Sequence, residues 1–240
     1  MTCVIKSIPL LLLLTLAACQ PAPDPKVAAA AQAAAVEKAA EEGAQQFEAE
    51  VARQNWDLAR AHGDVLLAKY PGSAAAERIK PKYADVRAKA DAAREQRRLQ
   101  MLWAYQTEKT PKGDQLSAAI YAKSTIDVDG SGAKPVRLIF RDHPEWGRSA
   151  YLTLEAGDFD CYRGCKLKVI VDDGKPRTLP GSRPKTDEAI AMFIEDEKTL
   201  WRLCKEAKKS ISIEFPVKAG GTRTALFEVG ELDSSRLPKW

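Results

Sequence analysis

Apolar positions follow two different periods along this chain, and the change of period divides it into a helical part and a strand-rich part. Between about residues 47 and 70 the large apolar side chains recur at intervals of three and four, the spacing of one helix face. A turn is predicted at residues 70–73, where Ser73 is placed to cap a second helix that continues to about Tyr105. Pro81 is expected to kink or restart that helix, because proline removes a backbone hydrogen bond.

After residue 113 short runs of β-forming residues alternate with turn residues. The predicted strands lie near residues 116–125, 136–141, 149–155, 165–171, 190–194, 211–217 and 224–229. Turns are predicted at residues 127–132, 172–174 and 220–221. One helix fits between the strands, capped by Asp196 and burying Leu200, Leu203, Cys204 and Ala207 on one face. The predicted fold class is therefore α+β: a helical arm, then a mostly antiparallel, sandwich-like β domain with one helix.

The N-terminal residues have the layout of a secretory signal: a lone Lys6, an apolar run at residues 10–14 and small residues before a break. The run is shorter than the roughly 20 residues that a spanning helix needs. A small membrane anchor is the alternative interpretation.

The segment Leu16-Ala17-Ala18-Cys19 resembles the lipobox of bacterial lipoproteins. The resemblance implies that residues 1–18 are removed and that Cys19 is lipidated, with two or three acyl chains giving a stable membrane anchor. Gln20 stands where retention in the inner membrane would usually require Asp. By that rule of the family the expected location is the outer membrane, on the periplasmic side.

These patterns predict four segments. They are a signal peptide (1–18), a lipidated cysteine with a proline-rich tether (19–26), a helical arm (27–108) and a β-rich domain (113–240). Three prolines between residues 20 and 25 favour an extended tether. Alanine supplies nine of the sixteen residues 27–42, which favours a spacer helix.

The predicted helical hairpin carries a further resemblance. Trp56-x-x-Ala59, followed by Leu66-Leu67-x-x-Tyr70-Pro71-Gly72-Ser73-x-x-Ala76, is similar to one tetratricopeptide-type hairpin of bacterial outer-membrane assembly and cell-division lipoproteins. One unit is visible, whereas a binding groove usually needs three or more. The alternative is a plain hairpin that acts as a spacer.

Charge and motifs narrow the function classes. The chain has 37 Lys and Arg against 33 Asp and Glu, a net charge of +4. Loss of Lys6 with the signal leaves 36 against 33, or +3. This near balance argues against a nucleic-acid partner. The sequence contains no Gly-x-Ser-x-Gly, His-Glu-x-x-His or phosphate-binding loop motif, and no cofactor is predicted.

Three cysteines are candidates for a disulfide in an oxidising compartment: Cys161, Cys165 and Cys204. Cys161 can bond Cys165 if their strands pair there, and Cys204 can alternatively bond either of them. Three residues separate Cys161 from Cys165, whereas a redox motif prefers two. The pattern therefore favours a structural bond.

Two further clusters carry polar side chains that could bind a ligand. His143, Glu145, Trp146 and Arg148 lie within six residues and form a possible ligand loop. The alternatives are that His143 caps a turn and Trp146 packs over a sheet end. Asp127-x-Asp129-x-Ser131 superficially resembles a calcium loop, but Leu138 occupies its closing position, so no metal is predicted.

Together these features predict a non-enzymatic, outer-membrane-anchored periplasmic lipoprotein that binds an envelope protein or acts as a scaffold. The alternatives are an envelope enzyme, either a hydrolase or a thiol-redox factor, and a peptidoglycan-binding protein.

Overall fold

The structure is a computed structural model that describes residues 24–184 and 190–240. The signal, the lipobox with Cys19 and most of the proline-rich tether lie outside the described residues. Two compact units divide between Arg87 and Ala88. The long third helix passes through this boundary.

The described helices and strands follow one another in a simple order. The helices are α1 (Pro25–Ala52), α2 (Trp56–Lys69), α3 (Ala74–Leu102) and α4 (Glu197–Glu206), with a 3₁₀ turn at Ser234–Arg236. The strands are β1 (Trp103–Thr110), β2 (Gly113–Tyr121), β3 (Val136–His143), β4 (Gly147–Leu154), β5 (Cys165–Val171), β6 (Arg177–Ser182), β7 (Ala191–Ile194), β8 (Ile211–Pro216) and β9 (Thr222–Phe227).

The first unit is held by a small core of alanines and a few large side chains. Phe47, Leu66 and Ile79 are fully buried in it, one from each of α1, α2 and α3. The predicted cap is confirmed, because Ser73 Oγ accepts a hydrogen bond of 3.1 Å from the backbone N–H of Ala76. Helix α3 continues without interruption through Pro81, so the predicted restart at that proline is wrong.

The helix predicted to reach Tyr105 ends earlier, at Leu102. Residues 103–110 form β1, paired antiparallel with β2. The physical reason lies in the side chains: Trp103 is buried in the sheet core, and the polar residues that follow it are mostly exposed. A segment that buries one large aromatic side chain and exposes its polar residues fits the edge strand of a sheet. Strand β6 was also not predicted, since Pro180 and Gly181 weaken its strand signal.

The nine strands form one antiparallel sheet in the order β1-β2-β3-β4-β7-β6-β5-β8-β9. The sheet curls so that its two ends approach each other: the backbone N–H of Lys123, just beyond β2, donates a hydrogen bond of 2.7 Å to the carbonyl of Leu226 in β9. Inward side chains such as Phe140 of β3 and Phe215 of β8 therefore belong to one core. The α+β class is confirmed, and a single curled sheet encloses the core.

Helix α4 and two of the turns in the C-terminal part of the chain match their prediction. The Asp196 carboxylate caps α4 by accepting from the N–H of Thr199, and the predicted apolar face of that helix is buried. The turns at 172–174 and 220–221 join β5 to β6 and β8 to β9. Asp172 has a positive φ of 48°, and its carboxylate accepts from three backbone N–H groups, those of Lys208, Lys209 and Ser210.

Candidate binding face

The hairpin between β3 and β4 contains the predicted ligand loop. His143 is buried, and its Nδ1 accepts from the backbone N–H groups of Glu145 (3.1 Å) and Trp146 (3.3 Å). The imidazole also stacks on the indole of Trp146, with ring centroids 3.8 Å apart. The Nδ1 lone pair is therefore used by the turn itself, which is the capping role considered for His143.

The other two members of that loop turn to different partners. The Glu145 carboxylate lies 3.6 Å from the ammonium of Lys112. Arg148 donates to the carbonyl of Lys239 (2.6 Å), and its guanidinium lies 5.8 Å from the ring centroid of Trp240. The side chains of His143 and Trp146 contact each other, whereas the side chains of Glu145 and Arg148 contact residues outside the loop. Trp146 is 70% exposed, so it presents its indole to solvent.

Trp146 lies at the end of a larger surface on the outer side of the sheet. Alternation along β3 buries Leu138 and Phe140 and turns Arg137, Ile139 and Arg141 outward, where each is half-buried. The register places Tyr121 beside Arg137 and Tyr151 beside Ile139. We call the set Tyr121, Arg137, Ile139, Arg141, Trp146 and Tyr151 the arginine–aromatic face.

Both arginines of this face lie over aromatic rings. The guanidinium of Arg137 lies 5.4 Å from the ring centroid of Tyr121. That of Arg141 lies 5.5 Å from the centroid of Trp146 and 5.4 Å from that of Tyr151. These distances are within the range of cation–π attraction.

Neither arginine has a carboxylate partner among the residues that the structure describes. Arg141 Nε donates to Ser149 Oγ at 3.2 Å, and Arg137 Nε is buried without a hydrogen-bond partner in the described ranges. Arg98 differs, since it contacts the carboxylates of Glu95 (2.7 Å) and Glu228 (2.9 Å). The positive charge of the face is therefore not neutralised by an ion pair with the described part of this chain.

Sequence reasoning did not identify Arg137, Arg141, Tyr121 or Tyr151 as site residues. One signal was present: two arginines lie four apart on the polar side of a strong strand pattern in β3. The rings that stack on them come from β2, β4 and the hairpin tip. Their proximity depends on strand register, which this spacing does not reveal.

The cysteines take the first of the pairings that the sequence left open. Cys161 and Cys165 are disulfide-bonded, with their Cα atoms 5.0 Å apart. Cys204 is a free thiol buried in the core, and burial raises the pKa of that thiol far above its ordinary value. Its location and its protonated state both make it a poor nucleophile.

The remaining acidic loop is organised by its own backbone. The Asp127 carboxylate accepts from the N–H of Gly130 (2.7 Å), and that of Asp129 accepts from the N–H of Ser131 (2.9 Å). Within residues 24–184 and 190–240 no group of three His, Cys, Asp or Glu side chains is placed to hold a metal ion. No helix in the described ranges combines the length and the apolar character needed to cross a membrane.

Comparison with known proteins gives one distant structural alignment. No family model matches the chain, and no curated protein matches it. Among solved structures, the crystal structure of invasion associated protein B from Bartonella henselae aligns with 12% sequence identity and a TM-score of 0.37. The alignment covers 57% of this chain and 90% of that one. At this TM-score the likeness does not bear on function.

Proposed function

We propose that this protein is a lipid-anchored lipoprotein of the outer membrane that faces the periplasm and has a non-enzymatic binding or scaffold role in the cell envelope. The lipobox-like segment ending at Cys19 supports the anchor, and Gln20 after it supports the outer-membrane destination. The disulfide between Cys161 and Cys165 supports export, because such bonds persist in oxidising compartments.

The observation that carries the binding role is the arginine–aromatic face. Half-buried, charged side chains without a carboxylate partner are costly unless something else compensates them. Here they stand on a sheet that is packed from below by a continuous core, so their positions are fixed before any partner arrives. A rigid surface that combines exposed aromatic rings with arginine is typical of protein-binding sites.

Metabolic labelling tests the anchor. Cells that express the full chain are fed an alkyne-bearing palmitate, and the outer and inner membranes are separated on a density gradient. We expect label on the protein and enrichment in the outer membrane, with both lost in Cys19→Ala. Accumulation of unlabelled wild-type chain outside the membranes would overturn the anchored assignment.

Photo-crosslinking in intact envelopes tests the binding role. A benzophenone amino acid is placed at Tyr151 on the face and, as a control, at Lys168 on the outer side of β5. We expect reproducible capture of one envelope protein from Tyr151 and only abundant neighbours from Lys168. Equal background from both positions would contradict the binding role of this face.

Co-sedimentation with purified sacculi tests the peptidoglycan alternative. We expect that the protein does not sediment with the sacculi at physiological salt.

A further inference from the structure

The way the two arginines are held determines what they can bind. A guanidinium that lies over an aromatic ring has its flat face occupied, while its N–H edge stays available for a planar, bidentate acceptor. Arg137 and Arg141 both lie over such rings. The Nε–H of Arg141 is bonded to Ser149 and that of Arg137 is buried, which leaves the two terminal Nη groups of each guanidinium as the edge for a partner. The chemistry that matches such an edge is a carboxylate or a phosphate, and the spacing and the apolar surface between the two arginines favour the carboxylates of a peptide.

The spacing of the arginines sets the spacing of the acceptors. Four residues along a strand place the Cα atoms of Arg137 and Arg141 about 13 Å apart. An extended peptide has the same rise per residue, and its side chains at alternate positions point to the same side. Two carboxylates at positions i and i+4 of an extended segment would therefore reach both arginines.

The surface between the arginines is apolar. Ile139 lies midway along β3 with Tyr151 directly opposite it in the register, and Phe193 of β7 lies 5.4 Å beyond the tyrosine ring. These three side chains are half-buried, so part of each faces solvent. An apolar side chain at position i+2 of the same segment would cover them.

We propose that the arginine–aromatic face is the docking surface for an extended acidic segment of a partner protein, with the pattern acidic-x-apolar-x-acidic. This inference rests on the binding role proposed above and names the partner's chemistry. Charge complementarity selects acidic side chains, and the central apolar row selects a peptide. A lipid headgroup layer or a glycan strand offers anions but no apolar side chain at the i+2 position.

Fluorescence anisotropy with the full-length mature lipoprotein in a non-ionic detergent tests the proposal. The probe is a rhodamine-labelled heptapeptide, Thr-Glu-Thr-Leu-Thr-Glu-Thr. A second probe of the same composition, Thr-Glu-Glu-Leu-Thr-Thr-Thr, keeps the charge and changes the spacing. We expect saturable binding of the first probe, weakening at high salt, and affinity for the second lower by about tenfold because it can engage one arginine only.

Three variants locate the binding. Arg137→Gln together with Arg141→Gln should reduce affinity for the first probe by at least about tenfold, since both bidentate contacts are lost. Arg141→Lys should bind the first probe little better than Arg141→Gln does, because an ammonium keeps the charge but has no planar group that can form two parallel hydrogen bonds. Arg236→Gln is the matched control: its guanidinium lies 5.3 Å from the ring of Tyr105, outside the face, so affinity should not change. Equal urea midpoints of all variants confirm that they fold.

Several results would overturn the inference while leaving the proposed binding role intact. These are equal affinity for the two probes, no saturable binding of either, or arginine-dependent binding of anionic lipid vesicles or sacculi in place of the peptide. Capture through Tyr151 of a partner segment without the acidic-x-apolar-x-acidic pattern would have the same meaning. Absence of any specific capture through Tyr151 would instead remove the binding role, and the inference with it.

Discussion

The two halves of the outer side of the sheet differ in how their charged side chains are paired. On the β5–β8–β9 half, Lys168 and Glu214 are register partners, and their charged atoms lie 3.2 Å apart. On the β2–β3–β4–β7 half, Arg137 and Arg141 lie over aromatic rings without a described carboxylate near them. Both halves cover the same core, so packing underneath does not explain the difference.

The contrast indicates which half is prepared for a partner. An exposed cross-strand ion pair satisfies its charges within the chain and leaves an ordinary solvated surface. An arginine that lies over aromatic rings without a carboxylate partner keeps its terminal N–H donors available, and the complement of its charge must come from solvent or from another molecule. Each of the following predictions tests one part of this comparison, from the largest expected effect to the smallest.

The largest effect on the free energy of unfolding should come from the inner side of β3, which lies in the core beneath both halves of the sheet. Phe140 is fully buried against Trp201 and Trp240, with ring centroids 4.9 and 5.2 Å away. Phe140→Ala should lower the free energy of unfolding by about 3–5 kcal/mol, measured by urea denaturation. The control is Arg141→Gln on the opposite side of the same strand, which should cost less than about 1 kcal/mol. Comparable losses would show that Arg141 is structural, and the comparison would fail.

Removal of the disulfide should have the next largest effect on the free energy of unfolding. It should not change binding at the arginine–aromatic face, which lies on the other half of the sheet. Cys161 and Cys165 close a short loop at the start of β5. Cys161→Ser with Cys165→Ser should lower the free energy of unfolding by about 2 kcal/mol, the chain-entropy value for so short a loop, while peptide affinity at the arginine–aromatic face stays unchanged.

Alkylation of the folded, unreduced wild-type protein should be slow, because the free thiol of Cys204 is buried. Two rapidly reducible cysteines would instead support a redox role.

Much of this fold follows from local sequence. The alternation in β3, β4 and β8 is strong because each strand has one side in the core, and the α4 face was predictable from Leu200, Leu203 and Cys204 at helical spacing. Asp196 and Ser73 were recognisable as caps, since each precedes a helical pattern with a side-chain acceptor. These features depend on neighbours within a few residues.

The features that sequence analysis missed depend on distant neighbours. Strand β1 reads as a continuation of a long helix until Trp103 is paired with β2. The arginine–aromatic face is assembled from three strands and a hairpin tip, so its members are recognisable only once the register is known. The His143–Arg148 cluster was noticed because its residues are adjacent in sequence, yet in space its members have different partners.

Asp172 should give a smaller, pH-dependent effect on the solvated half. Its carboxylate accepts first of all from the N–H group of Ser210, and also from those of Lys208 and Lys209, and these bonds hold the pKa of the carboxyl below its ordinary value. A lowered pKa in the folded state stabilises the protein above the ordinary Asp pKa of about 4 and loses this contribution as the pH falls through the lower folded value. Asp172→Asn tolerates the positive φ and should cost about 1 kcal/mol at pH 7.

Urea denaturation at neutral and acidic pH measures that contribution. The difference between wild type and Asp172→Asn should shrink below about pH 4, because protonation removes the same charge from the wild type. Asp173→Asn, at the exposed neighbouring position, is the control and should leave the curve unchanged. A difference that stayed constant down to low pH would show that the charge of Asp172 does not stabilise the turn.

The smallest effect should be that of the Lys168–Glu214 pair itself, and it separates the two halves most directly. Double-mutant cycles with Lys168→Gln and Glu214→Gln should give a coupling of about 0.2–1 kcal/mol, since the pair is partly exposed and screened by salt. Peptide affinity should not change in either variant, because the complement of each charge lies within the chain.

The same cycle with Arg137→Gln and Arg141→Gln should show little coupling in the free energy of unfolding, since about 13 Å separates the two residues, while peptide affinity falls. If the lysine variant lost peptide affinity as the arginine variants do, charge on either half would serve equally well, and the stacked geometry of the arginine–aromatic face would have no special role.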